Sequence, residues 1–277
     1  MVSEGGREAT SDARRDLARA IRMTVLDASK RANVGHIGSC LSVADILAAL
    51  YTGTLSGAGT GDRDRDRFIL SKGHAALALY AALHEVGILD AAALESFCGE
   101  GSALGTHPEH GVPGVDFATG SLGMGLSMGA GAALAARLDG SERRVYVLMS
   151  DAECNEGSVW EAIMFAAHHR LSNLVAIVDV NGQQAFGYTE DVLDLAPLDG
   201  RWRSFGWGVH AVDGNDPDAC ARVLARLRTL DDGPQVLLAR TVFGKGVSFM
   251  ESQIKWHYWP LDDDEYAAAA SEVEGAA

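Results

Sequence analysis

Asp151 and Asn181 lie 30 residues apart, and each closes a short apolar, β-branched run, Val145–Met149 and Leu174–Val178 respectively. One strand–helix–strand unit would bring both side chains to a single crevice at the carboxyl ends of neighbouring strands. A carboxylate, an amide oxygen and a nearby backbone carbonyl are hard oxygen ligands, a set that suits a Mg²⁺ keeping phosphate oxygens in its other positions. Singly, each residue has an ordinary use, Asp151 as a cap before the helix at Ser158 and Asn181-Gly182 as a turn. Their paired placement favours the metal. Four of the nine histidines, His36, His74, His107 and His257, stand in separate short motifs. Imidazole moves protons on hydroxyls near neutral pH and hydrogen-bonds oxyanions. His84, His110, His168, His169 and His210 are read as structural, and Cys154 as a small packing residue rather than a nucleophile.

The elements that must hold these residues follow from periodicity. Residues 1–11 are small and polar, a flexible start. Leu17, Ala20, Ile21, Thr24, Val25 and Ala28 recur at helical spacing, and that helix ends before Gly35. Ser42 and Asp45 have capping-box spacing ahead of Ile46, Leu47 and Leu50, which predicts a second helix starting there. An alanine-rich helix follows His74. Further on, Val145–Met149, Leu174–Val178, Gly208–Val212 and Gln235–Ala239 read as strands, and the neighbourhoods of 123–138, 158–169 and 217–230 as helices. The alternation predicts an α/β domain over residues 12–261, a mostly parallel sheet with helices on both faces. Residues 262–277 read as an acidic, alanine-rich tail whose Asp262–Glu265 cluster is a solvated surface run.

Composition limits the partners. Hydrophobic residues at 47% and 32 glycines in 277 residues exclude a disordered chain, a collagen-like repeat and a disulfide scaffold. A net charge of −15 without a Lys/Arg run opposes nucleic acid and anionic lipid. The four cysteines show no Cys-x-x-Cys spacing, and the first twenty residues are too charged for a signal peptide, so a reduced cytoplasmic setting is expected. The uncharged stretch from Thr119 to Ala136 contains five glycines and reads as a buried helix, not a bilayer span.

Asp151-Ala152-Glu153-Cys154-Asn155-Glu156-Gly157 followed by Asn181 resembles the thiamine-diphosphate motif, and Ser158-Val159-Trp160-Glu161-Ala162 continues it as transketolases do. Gly35-His36-Ile37-Gly38-Ser39, Ser71-Lys72-Gly73-His74, Thr106-His107-Pro108-Glu109, Thr119-Gly120-Ser121-Leu122-Gly123 and Gly244-Lys245-Gly246 with His257 are similar to transketolase signatures in the same order. The resemblance, spanning residues 35 to 257, implies a thiamine-diphosphate-binding fold, specifically the N-terminal, diphosphate-binding subunit of a split transketolase. Its activity would be transfer of a two-carbon ketol unit from a ketose to an aldose, on sugars or sugar phosphates. A separate C-terminal, pyrimidine-binding subunit would supply the glutamate that activates the cofactor, in an α2β2 heterotetramer.

The same resemblance implies residue roles. Asp151 and Asn181 would bind Mg²⁺ through side chains and Gln183 through its carbonyl. Gly120, Ser121 and Leu122 would meet the aminopyrimidine and thiazolium, and Ala152, Glu153, Asn181, His74 and His257 would contact the cofactor. His36, His74, His107 and His257 would surround cofactor and donor sugar, and Glu156 would face the partner subunit's glutamate. Three departures stand out. Ser150-Asp151-Ala152 replaces the usual Gly-Asp-Gly, which predicts crowding at the diphosphate and strain if either glycine needed positive φ. Ala185-Phe186-Gly187 replaces Ile-Asp-Gly, and Tyr258 stands where a glycine usually follows the histidine, predicting a reshaped entrance. Alternative readings are acyl transfer or 2-oxoacid decarboxylation with the same cofactor, and a non-catalytic interaction subunit. A more remote one is an NAD(P)-binding oxidoreductase, with Val115–Thr119 as a strand before a glycine-rich turn.

Overall fold

Apolar, largely Val, Ile and Leu runs build the strands β1 (Arg67–Leu70), β2 (Val145–Ser150) and β3 (Leu174–Val180); the polar β4 (Gln183–Gln184) and β5 (Gly187–Tyr188) are two residues each, and β6 (Gly208–Asp213) and β7 (Gln235–Arg240) follow. In this computed structural model, which describes residues 10–275, five of them form one sheet in the order β1-β2-β3-β7-β6. Every neighbouring pair is parallel, with Val145 opposite Leu174 and Ile177 opposite Leu237. β4 and β5 make a separate antiparallel hairpin. The four predicted strands are present, each one or two residues longer than expected, and β1 is an addition.

The helices are α1 (Ser11–Ala32), α2 (Ile37–Ser42), α3 (Ala44–Ala49), α4 (Ala76–Glu85), α5 (Ala91–Glu95), α6 (Met124–Leu138), α7 (Gly157–His168), α8 (Thr189–Val192), α9 (Leu198–Ser204), α10 (Pro217–Leu227), α11 (Lys255–Tyr258) and α12 (Asp263–Gly275). Period-2 alternation divides the core between the two faces of the sheet. Tyr146, Leu148, Val175, Ile177 and Leu237 pack with α1, α3, α4 and α10 on one side. Val147, Met149, Ala176, Val178 and Leu238 pack with α6, α7 and Trp202 of α9 on the other. Burial on both faces explains why β2 and β3 read as unbroken apolar runs. Glycines let α6 come close to the sheet, since a Cβ at Gly129 would lie 2.4 Å from Val147 Cγ2.

Three expectations change. Ser42 and Asp45 do not cap α3, which starts from Val43 without a side-chain cap. Instead the Ser42 hydroxyl donates to Asp179 at 2.8 Å, and Asp45 accepts Arg22 Nη2 at 2.6 Å, so distant partners outcompeted the local one. The segment Val115–Thr119 is irregular rather than a strand, which removes the strand that a dinucleotide turn must follow. The C-terminal stretch is the helix α12, its Ala269 and Val273 buried in the core beside α1, while Asp262, Asp263 and Asp264 remain exposed as predicted. Of the expected flexible start, residues 1–9 lie outside the described residues, and Ser11 already belongs to α1. No helix among the described residues is long and apolar enough to cross a membrane. Cys40, Cys98, Cys154 and Cys220 are free thiols, Cys154 fully buried with burial pushing its pKa well up, as befits a packing residue.

Candidate active site

The carboxyl ends of β1, β2, β3 and β7 converge, and the loops beyond them carry the motif residues. Asp151 follows β2 and opens a short 3₁₀ turn; its Oδ1 accepts the Ala152 N–H at 2.8 Å and its Oδ2 the Gly182 N–H at 2.9 Å. The second bond joins the two strand ends. Asn181 follows β3, its Oδ1 accepting the Gln183 N–H at 3.0 Å and its Nδ2 donating to Asp179 Oδ2 at 3.0 Å. The Asn-Gly turn is thus present together with the pairing, whereas Asp151 caps the 3₁₀ turn and not the helix at Ser158, which starts from Glu156 without a side-chain cap. Burial and the neighbouring Asp179 raise the Asp151 pKa to about 7, against the lowering effect of two amides and Lys72. A divalent cation beside it would restore the ionised form.

Beneath Asn181 lies a buried polar cluster that no motif announced. Asp179 is fully buried in β3 and accepts hydrogen bonds from Lys72 Nζ, the Ser42 and Thr241 hydroxyls and Asn181 Nδ2. The Lys72–Asp179 ion pair has side-chain exposures of 1% and 0%. The available signal was one charged residue in the run Leu-Val-Ala-Ile-Val-Asp-Val, two positions before Asn181. Glu153, also fully buried, turns inward: its carboxylate accepts the Ser71 hydroxyl, the Gly123 N–H at 2.8 Å and the Ser150 N–H at 3.3 Å. It ties three loops together and does not line the cleft.

His36, His74 and His257 form a triangle with ring centroids 5.3–5.5 Å apart. Burial lowers all three pKa values, helped by His107 at His36, by Lys72 and the other histidines at His74, and by His36 and Lys72 at His257, which falls to about 4. The triangle is therefore neutral at pH 7. His107 packs against the 119–122 loop, its ring 3.4 Å from where a Gly120 Cβ would stand. The 119–122 loop lies over the Lys72-Gly73-His74 turn, and a Cβ on Gly73 would come within 3.0 Å of Thr119 and Gly120 backbone. Leu122 lines the cleft, whereas Ser121 is exposed. Glu156 is exposed beside Gly123 at the start of α7, open to a second chain.

A cleft lined by Lys72, His74, Leu122, Ala152, Asn181, Gln183, Ala185 and His257 gathers part of these groups, whereas Asp151 lines the neighbouring pocket, which shares Ala152 and continues along Val180 and Arg240. Among the described residues, His36 Nδ1, His257 Nδ1, Gln184 Nε2 and both polar atoms of the Gln183 side chain are buried without a hydrogen-bond partner. Such orphans cost about 1–3 kcal/mol each unless a ligand satisfies them. They fit an oxyanion-rich group with a cation. No three acidic, imidazole or thiol groups among the described residues converge on a metal position, as expected where only one ligand is a carboxylate. Neither Ser150 nor Ala152 has positive φ, so the condition for backbone strain at these positions is not met, and the Ser150 hydroxyl accepts the Glu153 N–H at 3.1 Å. Here the turn is an ordinary 3₁₀ one.

Residues 13–274 match the family described as transketolase, thiamine diphosphate binding domain. The 6-deoxy-6-sulfo-D-fructose transketolase subunit of Clostridium sp. (strain MSTE9) is 37% identical over 260 residues, 93% of this chain and 94% of that protein. An apulose-4-phosphate transketolase subunit of Phocaeicola vulgatus is 38% identical over 91% of this chain and 90% of its own. Among solved structures, the transketolase of Campylobacter jejuni superposes with a TM-score of 0.90 at 29% identity, over 96% of this chain and 43% of that longer one.

Proposed function

Because the chain belongs to the transketolase family through its thiamine-diphosphate-binding domain, we propose that its strand-end cleft is the diphosphate half of an active site completed by a second subunit. The protein is a subunit of a transketolase-type transferase, which moves a two-carbon ketol unit from a ketose to an aldose. Thiamine diphosphate is its cofactor. Bound there, that group supplies the electron sink that lets the bond to the two-carbon unit break and re-form.

Asp151 and Asn181 would hold Mg²⁺ with their side-chain oxygens and Gln183 with its carbonyl, the cation neutralising diphosphate that a chain of net charge −15 repels. Lys72, Asp179 and Ser42 keep Asn181 in position from below. Leu122 excludes water from the reacting end, with Gly120 and Ser121 beside it. His36, His74, His107 and His257 would hold and move protons on sugar hydroxyls, and the first, second and fourth, neutral at pH 7, can do so as bases and hydrogen-bond partners. Ala152 would border the diphosphate, Glu153 would keep the surrounding loops in register, and Glu156 would meet a carboxyl of the partner.

The carrying observation is the junction of Asp151 and Asn181, joined through Gly182, beside a triangle of neutral imidazoles and five buried orphan atoms. The partner is a C-terminal, pyrimidine-binding subunit, a reading supported by relatives that are themselves named as subunits. An α2β2 assembly satisfies closed two-fold symmetry, and the setting is cytoplasmic. Relatives acting on apulose 4-phosphate and 6-deoxy-6-sulfofructose point to sugars or their anionic derivatives as substrates. The test mixes this chain with its C-terminal partner, Mg²⁺ and thiamine diphosphate: ketol transfer is expected from the mixture and from neither chain on its own. Robust transfer by this chain by itself overturns the shared site.

A further inference from the structure

The Gly244-Lys245-Gly246 motif does not line the strand-end cleft; Lys245 and Gly246 instead line a separate cavity of about 400 Å³ between α1, α3, α12 and the turn into α10. Its floor is an ion pair: Arg22 Nη2 and Nη1 donate to the Asp45 carboxylate at 2.6 and 3.2 Å. Arg22 Nε donates to the Lys245 carbonyl at 3.0 Å, which holds the motif loop against the pair. A glycine is required beside it, since Gly246 has φ +96° and a Cβ there would lie 3.2 Å from Arg22 Cδ. Asn215 joins the floor to the cleft. Its Nδ2 donates to Asp45 at 3.1 Å and its Oδ1 accepts the Val242 N–H at 2.8 Å, next to Phe243, whose ring stacks on His257.

Charge sets what the cavity suits. Arg22 and Asp45 neutralise each other, leaving Arg15, Arg19 and Lys245 against Asp216 on the lining, in a chain of net charge −15. Each of these three cations has a partly exposed or already occupied partner. Arg19 has Asp16, Lys245 has Glu251 at 3.2 Å, and Arg15 lies 3.6 Å from Asp218, which also binds Arg14 and Ser11. Such exposed pairs add little to stability, so an anion can recruit these side chains without undoing the fold. Ala18, Pro217 and Val273 give only small apolar contacts, which suits a polar occupant. We propose that this cavity binds a small hydroxyl-bearing dianion, the chemistry of a polyol or sugar phosphate monoester. Arg15, Arg19 and Lys245 hold the phosphate, the two guanidinium forks pairing with its oxygens, and the Asp216 carboxylate accepts from a hydroxyl. A cavity of this volume admits such a molecule whole. The inference goes beyond the ketol-transfer reading and does not depend on it.

The test titrates glycerol 3-phosphate, which has no carbonyl to serve as ketose or aldose, into the complex with the C-terminal subunit loaded with Mg²⁺ and thiamine diphosphate. The full chain by itself is titrated in parallel, so failure of the complex to form leaves the test intact. Calorimetry is expected to show binding of the ester to both, weaker binding of inorganic phosphate and none of glycerol. Arg19→Gln and Lys245→Gln, in separate segments, should each weaken the ester by about 5- to 10-fold. Arg226→Gln, the same charge change at an exposed site on α10, should leave it unaltered. Absence of ester binding by the wild type, or equal losses in all three variants, overturns the site. Inorganic phosphate held as tightly as the ester overturns the hydroxyl-bearing ligand class.

Discussion

Lys72 and Asp179 form an ion pair in the floor of the cleft, and the same Asp179 carboxylate receives the Asn181 amide. A buried charge pair holds one partner dependent on the other, because each charge left alone would face a low-dielectric interior. The chain therefore positions a strand-end ligand through charges that never touch solvent.

The losses from removing the two members should not add. Lys72→Met or Asp179→Leu is expected to destabilise by about 3–5 kcal/mol, and the Lys72→Met/Asp179→Leu double variant by less than the sum of the two. Urea denaturation checks this; additive losses would mean that the two charges are solvated independently.

Asp151→Ala and Asn181→Ala should weaken Mg²⁺-dependent thiamine diphosphate binding to the complex by about 100-fold or more. Calorimetry at limiting Mg²⁺ reads the effect without turnover. Wild-type affinity in both variants would sink the ligand assignment.

The histidine triangle predicts an acid-sensitive fold. Burial lowers the pKa of His36, His74 and His257 below the ordinary 6.5, His257 to about 4. The unfolded chain then binds more protons than the folded one between these values, so the contribution is fully present above pH 6.5 and is lost as pH falls towards 4. Replacing His257 with Gln should flatten that part of the stability–pH curve. An unaltered slope would show that carboxylates alone cause the acid loss.

Glycines at positions 150 and 152 should relieve no backbone strain. With no positive φ there and the Ser150 hydroxyl holding the Glu153 N–H, Ser150→Gly/Ala152→Gly is expected to lose about 1–2 kcal/mol. A rise in melting temperature would reveal strain after all.

Much of the site was legible because strand periodicity marks strand ends, and Asp151 and Asn181 stand at two neighbouring ones. The four histidines were legible only through their motifs, since nothing in a one-dimensional spacing of 36, 74, 107 and 257 brings rings together. The failed capping box at Ser42 and Asp45 shows the limit of local patterns. Both side chains could cap, but Asp179 and Arg22 offered buried, charge-assisted partners.

Sequence by itself determined the parallel α/β frame, the strand-end placement of Asp151 and Asn181, and the order of the loop motifs, because backbone periodicity and turn chemistry are local. Tertiary structure decided which polar groups pair: Lys72 with Asp179, Glu153 with the 71 and 123 loops, and Tyr258 with Ala185. It also left the Gln183 amide buried and unpartnered in the cleft. The physical reason is that a buried polar side chain must find its partner wherever packing brings one within about 3 Å, and that choice is made across 82 residues for Ser71 with Glu153 and 107 for Lys72 with Asp179.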